Sequence, residues 1–423
     1  MLNQRKTVLD ALISVGNDYG YSNLVLQKAF DEDGVPPEEH AFVSALFYGV
    51  IDRRITLDYI ISLFIAKPIG RIKPVTLNAL RMAIFQILYM DKVPVSAAVN
   101  ESVKLVKYSK ENYNASFVNA ILRNFLRKGA VLPEDNSADS LKIRYSCPTW
   151  IIESLISDYG EDNAIKTLRH YLSAPQITLR INTTAITDVE FCQRMDENGT
   201  PVRLAEFPNA AILKDGVDVR QLETYKNGLF HIQDLPSQIA VSKLNLKVGE
   251  RVLDMCAAPG GKTFTAAQYA QDSGRIVACD IFEHRVNLIV AGAQRLKLSN
   301  ITCLLKDSSV YDKSLGSFDA VICDVPCSGL GVIRRKPEIK YKENLDLPEL
   351  DSTQKKILSN GLKYLKPGGR LLYSTCTLRK AENEHIVRAC LDKCAEYEVE
   401  YEHTFLPGVD GTDGFYFAIV RSR

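Results

Sequence analysis

The sequence predicts a multidomain chain: an all-α helical domain, a small α/β linker subdomain, and an α/β domain built on a mixed, mostly parallel sheet. Three observations carry this reading. At 423 residues the chain exceeds one ordinary domain and has room for two or three. Apolar residues recur at helical spacing through residues 1–130. From about residue 245, short apolar runs alternate with helical segments, the pattern of a parallel sheet covered by helices on both faces.

Taken in order, "LNALRMAIFQILYM" places Leu77, Leu80, Ile84, Ile87 and Leu88 at helical spacing, and "SAAVNESVKLVKY" does the same with Val99, Val103 and Val106. Pro36, Pro37, Pro68, Pro74 and Pro94 fall between such stretches, where proline ends one helix or opens the next. Residues 131–140, "VLPEDNSADS", read as a polar linker. Residues 141–235 mix helical "WIIESLISDYG" with strand-like "ITLRIN", "AAILK" and "GLFHIQD". In residues 236–423, "RVLDM", "RIVACD", "ITCLLKD", "FDAVICD" and "RLLYSTC" are the expected parallel strands, and "YEVEYEHTF" and "GFYFAIVRS" two closing strands.

Bulk composition excludes a good deal. Lys+Arg number 52 against 51 Asp+Glu, so any polyanion site must be a local patch. Residues 1–130 hold 16 Lys/Arg against 12 Asp/Glu, a mild excess compatible with a solvated surface. The opening "MLNQRKTVLDALISVG" has no secretory pattern, and the longest apolar run, "YIISLFIA", is too short to cross a bilayer; a cytoplasmic protein with no membrane partner is expected. The ten cysteines are scattered, several inside apolar runs such as "AVICDVPC", and read as reduced thiols. Cys390 and Cys394 could share a helix face, but without a suitable His pair nearby no metal site is expected.

The chemistry concentrates in "RVLDMCAAPGGKTFTAAQYA", residues 251–270. A Walker A loop ending on Lys262 and Thr263 requires glycine at 256, which is cysteine, and only Gly260 and Gly261 are present for a dinucleotide fingerprint. What remains is a strand, a small-residue loop and a helix. Asp254 ends this strand; Asp280, 26 positions later, ends the next and can accept hydrogen bonds from ribose hydroxyls. Asp307 and Asp324 end the third and fourth. One such aspartate is usually a turn former or cap; four at consecutive strand ends point to an adenosine-type cofactor without a demanding phosphate grip, with S-adenosylmethionine the leading candidate. Lys262 suits a sulfonium cation poorly unless it faces the substrate or pairs with a carboxylate.

Cys327 in "CDVPCSGLG" and Cys376 in "LLYSTCT" each lie just beyond a strand, on the same rim. Cytosine C5 is a poor nucleophile. A thiolate adding to C6 gives C5 carbanion character, a second group neutralises the ring, and a third removes the C5 proton so that the thiolate can leave. Cys376, Asp324 and Cys327 could supply these roles.

Residues 250–423 resemble the RNA 5-methylcytosine methyltransferase family through "DMCAAPGGKT", "CD" at 279–280, "KD" at 306–307, "DVPCSGLG", "YSTCT" with "ENE" at 382–384, and "GTDGFYFA". Residues 41–128 resemble the NusB-like helical RNA-binding fold, in "ALRMAIFQILYMDKVPVSAAVNESVKLVK" and "FVNAILRNFLR". With "LRIN" and "QDLPSQ" between, the pairing is similar to bacterial ribosomal RNA cytosine-5 methyltransferases. The resemblance implies a NusB-like domain over 1–130, an RNA-binding subdomain over 141–235 and a Rossmann-type methyltransferase domain over 236–423. It implies Cys376 as nucleophile on C6, Cys327 in product release, Asp324 at the N3 edge of the base and Lys262 as organiser. S-adenosylmethionine would contact Cys256, Ala257, Ala258, Pro259, Gly260, Gly261 and Lys262, with Asp280, Asp307 and Asp324. The implied substrate is small-subunit ribosomal RNA, at the cytosine conventionally numbered 967, and the implied enzyme is a monomer. Val325 stands where the family commonly has alanine, and "QDLPS" where it often has "QDEAS"; neither changes a reactive group.

A paired target cytosine would have to leave its stack to reach the thiol. Arg53, Arg54, Arg71, Lys73, Arg123, Arg127 and Lys128 are candidate phosphate contacts, as are Arg334, Arg335 and Lys336 directly after the catalytic loop. Transfer RNA or another ribosomal cytosine stays open as substrate. A non-catalytic RNA-binding antitermination factor is the rival from another class, one with no use for two rim thiols.

Overall fold

Prolines set the helix starts. Pro37 and Pro74 occupy the first turns of helices Pro37–Asp52 and Pro74–Tyr89, and Pro94 is the N-cap of Val95–Lys107. Proline costs little there, because the first amides of a helix have no intrahelical acceptor. The computed structural model describes residues 4–18, 22–213, 217–271, 273–342, 346–392 and 394–423. They form two compact units: Met1–Ser173 with Ile333–Glu343, and Ala174–Val332 with Asn344–Arg423.

The first unit is helical. Leu46, Phe47, Val50, Leu57, Leu80, Ile84, Val106 and Leu122 share its core, while Leu88, in the last turn of its helix, is exposed. Helices Ala138–Tyr145, Thr149–Tyr159 and Glu161–Tyr171 belong to this unit. The division therefore falls inside the 141–235 segment, and hydrogen bonds explain it: Thr56 Oγ1 donates to Ile143 O (2.6 Å) and Ile55 N–H to Ser146 Oγ (3.0 Å).

Residues 333–342 return to the same unit. Lys340, fully buried, donates to Asp52 Oδ1 (2.8 Å) and to the Asp52 carbonyl (2.7 Å). Tyr341 donates to Ile51 O (2.9 Å), and the Arg54 guanidinium lies 3.6 Å from the centre of its ring. A buried ammonium persists only where it is paired and hydrogen-bonded, so Asp52 is what allows Lys340 inside.

The second unit holds two sheets. The smaller consists of β1 (Ile177–Ile181), β2 (Val202–Leu204), β3 (Ala210–Leu213) and β4 (Phe230–Ile232), antiparallel in the order β2-β3-β1-β4. Helix Asp188–Glu197, opened by a Thr187/Glu190 capping box, contributes Phe191 and Met195 to a core with Leu179, Ile181 and Phe230.

The larger sheet consists of β5 (Arg251–Asp254), β6 (Arg275–Asp280), β7 (Ile301–Leu305), β8 (Phe318–Asp324), β9 (Leu365–Thr375), β10 (Tyr397–Phe405) and β11 (Phe415–Ser422), ordered β10-β11-β9-β8-β5-β6-β7. β11 runs antiparallel to β9 and β10, and the other pairings are parallel. The five parallel and two closing strands are those expected from sequence. Two apolar clusters form around it, one with Val252, Ala266, Ile276 and Leu372, the other with Leu253, Val321, Leu358 and Leu371. Adjacent strand residues divide between them, as the two-residue period of a strand requires. The chain winds from β5 through β6 to β7 on one side and through β8 to β9 on the other. That reversal opens a crevice beyond the carboxyl ends of β5 and β8. Among the described residues, no helix is long and apolar enough to cross a membrane.

Candidate functional site

The crevice begins at Asp254, the last residue of β5. Its carboxyl is fully buried; Oδ2 accepts from Thr263 Oγ1 (2.7 Å) and Oδ1 has no hydrogen-bond partner. Burial pushes this carboxyl up to about 7, the Thr263 hydrogen bond opposing the shift. A carboxyl raised in the folded state binds its proton more tightly there than in the unfolded chain. Its stabilising contribution is therefore full below the unfolded value near 3.8 and is lost as pH rises through about 7. Relative to Asp254→Asn, the protein is expected to lose a few kcal/mol of unfolding free energy between pH 4 and 8. Urea denaturation of both proteins across that range checks this, and parallel curves would contradict it.

The loop after Asp254 is held to its neighbours by backbone. Ala257 N–H donates to Cys279 O (2.8 Å), and Ala258 N–H to Asp280 Oδ2 (3.3 Å). The Ala258–Pro259 peptide is cis. Gly260, at φ +113°, opens helix Gly261–Ala270, and a Cβ there would fall 2.3 Å from the Phe264 ring, so only glycine fits. Cys256 is half-buried, and burial raises its thiol well above the ordinary value. Ala257 and Ala258 are buried and Pro259 is exposed.

Asp280 is buried at the end of β6, where it also accepts from Phe282 N–H (3.2 Å) and lies 3.5 Å from Arg285 Nη2. One backbone donor on each carboxylate oxygen leaves lone pairs for two hydroxyls. Asp307 is exposed in the turn after β7 and accepts from Ser309 N–H (2.8 Å), as a turn-forming aspartate does.

Asp324 ends β8. Lys262 Nζ lies 2.7 Å from its Oδ2, and Ser374 Oγ donates to its Oδ1 (2.7 Å). Lys262, nearly buried, also reaches Ser237 Oγ (3.3 Å) and sits 5.1 Å from the Phe415 ring centre. The lysine that suits a sulfonium poorly thus has a carboxylate partner. Cys327 and Cys376, from the loops after β8 and β9, place their sulfurs 3.2 Å apart. The hydrogen bond to Cys376, then burial, raise the Cys327 thiol well above its usual range. The glycines of "GLG" and "GTDG" have a steric reason: Gly414 N–H donates to Gly331 O (2.8 Å), and a Cβ on Gly331 would lie 2.0 Å from Gly414 O.

Thus Asp254, Lys262, Asp280, Asp324, Cys327 and Cys376 line one rim, with Asp307 in the turn beyond β7. The ten candidate RNA-contact residues all belong to the other, helical unit. There Arg71, Lys73, Arg123, Arg127, Lys128 and Lys336 are exposed, whereas Arg53 and Arg54 pack on the rings of Tyr89 and Tyr341. Sequence reasoning assigned no role to Ser237, Ser374, Glu382 or Asn383. The "ENE" string was the available signal for the last two.

A doubly wound sheet whose β5–β6 edge carries this close-approach loop and ribose-type carboxylate defines the chain as a Rossmann-type, S-adenosylmethionine-dependent methyltransferase. Residues 241–421 match the 16S rRNA methyltransferase RsmB/F model, residues 2–127 the NusB family, and residues 147–220 the RsmF/B-like ferredoxin-like domain. The chain belongs to the ribosomal RNA small subunit methyltransferase B (RsmB) family. It is 31% identical over 443 residues to the probable ribosomal RNA small subunit methyltransferase B of Bacillus subtilis strain 168, covering 99% of this chain and 98% of that one. With the Escherichia coli K12 ribosomal RNA small subunit methyltransferase B it shares 31% identity over 397 residues, 91% of each chain. Among solved structures, a methyltransferase homolog protein from Pyrococcus horikoshii matches 69% of this chain and 100% of its own, at 25% identity and TM-score 0.61.

Proposed function

We propose that this chain methylates C5 of a cytosine in 16S ribosomal RNA, the cytosine named above from the family resemblance, through a covalent bond between Cys376 and C6. The observation that carries the reading is the pair of sulfurs 3.2 Å apart on the rim that also holds the Lys262–Asp324 pair.

The loop from Cys256 to Lys262, with Asp280, Asp307 and Asp324, would hold S-adenosylmethionine, which would supply an electrophilic methyl group. The Cys376 thiolate gives its lone pair to C6, and the C5=C6 electrons would form the bond from C5 to that methyl carbon, whose bond to the sulfonium sulfur breaks with its electron pair left on sulfur. Asp324, oriented by Lys262 and Ser374, hydrogen-bonds or protonates the N3 edge and offsets the charge that builds on the ring. Cys327 takes the C5 proton; the freed electron pair restores C5=C6 as the C6–S bond breaks and returns the thiolate to Cys376. The helical domain over 1–130 and the subdomain over 141–235 grip the RNA through phosphate contacts, and the protein works as a cytoplasmic monomer.

Position-resolved mass spectrometry of ribosomal RNA nucleosides, from a strain without this protein and from the same strain complemented, tests the assignment. One 5-methylcytosine is expected to vanish from 16S rRNA and return on complementation. An unchanged 16S pattern, or loss confined to transfer RNA, would sink it.

A further inference from the structure

The two thiols stand on separate loops, and two adjacent side chains hold both. Glu382 Oε2 accepts from Ser328 N–H (2.8 Å) and from Gln354 Nε2 (2.9 Å), and the same Gln354 nitrogen reaches Pro326 O (2.9 Å). Residues on either side of Cys327 are thereby tied to one carboxylate. Asn383 brackets Cys376 likewise: its Oδ1 accepts from Thr375 Oγ1 (2.5 Å) and its Nδ2 donates to Thr377 O (3.1 Å). Ser328 Oγ and Thr377 Oγ1, 2.7 Å apart, close the frame. Both Glu382 and Asn383 are fully buried.

We propose that Glu382 and Asn383 are the positioning residues of the two-thiol site, and that the Glu382 carboxylate, fixed to the Cys327 loop, makes the two thiols inequivalent. The inference deepens the proposed roles of Cys376 and Cys327 and rests on them. A buried carboxylate beside a thiol opposes its ionisation. Cys327 is held protonated by its hydrogen bond to Cys376, by burial, and by the charges of Cys376 and Glu382. The remaining groups around it do not reverse that balance. Tyr373, whose hydroxyl donates to Glu382 O (2.6 Å), is itself raised and stays neutral. Arg379, 3.5 Å from Glu382 Oε1, divides its charge with Asp351. Asp324, at the start of the same loop, is paired with Lys262 at 2.7 Å.

Cys327 therefore keeps its proton, and in the proposed mechanism Cys376 is the thiol that attacks. Once Cys376 is bonded to C6, its thiolate is gone, and with it the first cause that held the Cys327 proton. Two of the four causes, that hydrogen bond and the Cys376 charge, are then gone, which lowers the cost of passing the Cys327 proton to water so that the sulfur can take the one on C5. Differential reactivity and proton removal thus follow from one clamp.

Alkylation with iodoacetamide, followed by peptide mass spectrometry on the whole protein without RNA or cofactor, reads this directly. In the wild type Cys376 is expected to react ahead of Cys327. Glu382→Gln keeps an acceptor for Ser328 but removes the charge, and the Cys376-to-Cys327 rate ratio is expected to fall roughly tenfold. Arg379→Met unmasks the Glu382 charge and should raise the ratio. Mere loosening would move both variants the same way, so shifts in one direction, or a Glu382→Gln ratio within about twofold of wild type, overturn the proposal. If Glu382→Gln does not fold, the Arg379→Met shift carries the test alone. Opposite shifts in a protein that forms no RNA adduct at Cys376 would overturn the proposed mechanism and leave the clamp standing.

Discussion

Cys376→Ala is expected to form no RNA adduct and to lose methyl transfer by roughly 10⁴-fold or more, because the thiolate that pushes electrons into C5 is gone. Cys327→Ala should behave differently. It keeps the nucleophile and the Lys262–Asp324 pair, so addition and methyl transfer proceed, but the C5 proton stays in place and Cys376 cannot leave. The expected product is a covalent protein–RNA complex that survives denaturing electrophoresis, with turnover reduced about 10²–10⁴-fold, the usual worth of a general base. The two variants differ by one sulfur each, at positions 3.2 Å apart, so a general loss of shape would affect both alike. Normal turnover by both would refute the covalent mechanism.

The largest effect on stability is expected in the helical unit, at Asp52. Asp52→Ala leaves the buried Lys340 ammonium, among the described residues, with the backbone carbonyl of position 52 as its hydrogen-bond partner and no carboxylate, and breaking one side of such a pair costs about 3–5 kcal/mol. That is a large share of the roughly 5–15 kcal/mol that holds a typical domain folded. Lys340→Met should cost far less, because it removes the charge that needs compensation and leaves Asp52 partly solvated with Arg53 3.9 Å away. The double variant should recover most of the loss. Guanidinium denaturation followed on the helical signal checks the order, and equal losses in the two single variants would contradict it.

Much of this architecture was legible because it rests on contiguous residues. β5, β6, β8 and β9 carry apolar runs buried on both faces, and the aspartates that end β5, β6 and β8 sit where a strand hands over to a loop. β2 was not legible: three residues, Val202–Leu204, largely exposed, offer no periodic signal. The four terminal aspartates read alike in sequence, yet tertiary surroundings divide them. Asp254 is sealed in, Asp280 caps two backbone amides, Asp307 stays in an exposed turn and Asp324 binds lysine. In the sequence Lys340 lies just beyond the basic run Arg334, Arg335 and Lys336, with nothing to set it apart. Its partner lies 288 positions away, and no local pattern announces a buried ion pair of that separation. The "ENE" string marks Glu382 and Asn383 but not what they hold, which is set by the meeting of two loops.

The return of residues 333–342 to the N-terminal helices also bears on how the protein is made. Synthesis is vectorial, and domains generally mature as they leave the ribosome. Here the N-terminal helices emerge with the Asp52 carboxylate and the Ile51 carbonyl lacking the lysine and tyrosine that complete them. Those partners arrive only after β5 to β8 of the second unit have been translated. The helical unit therefore cannot be completed before much of the second has been translated, and a chain released early would present an incomplete helical body to the cell's proteases.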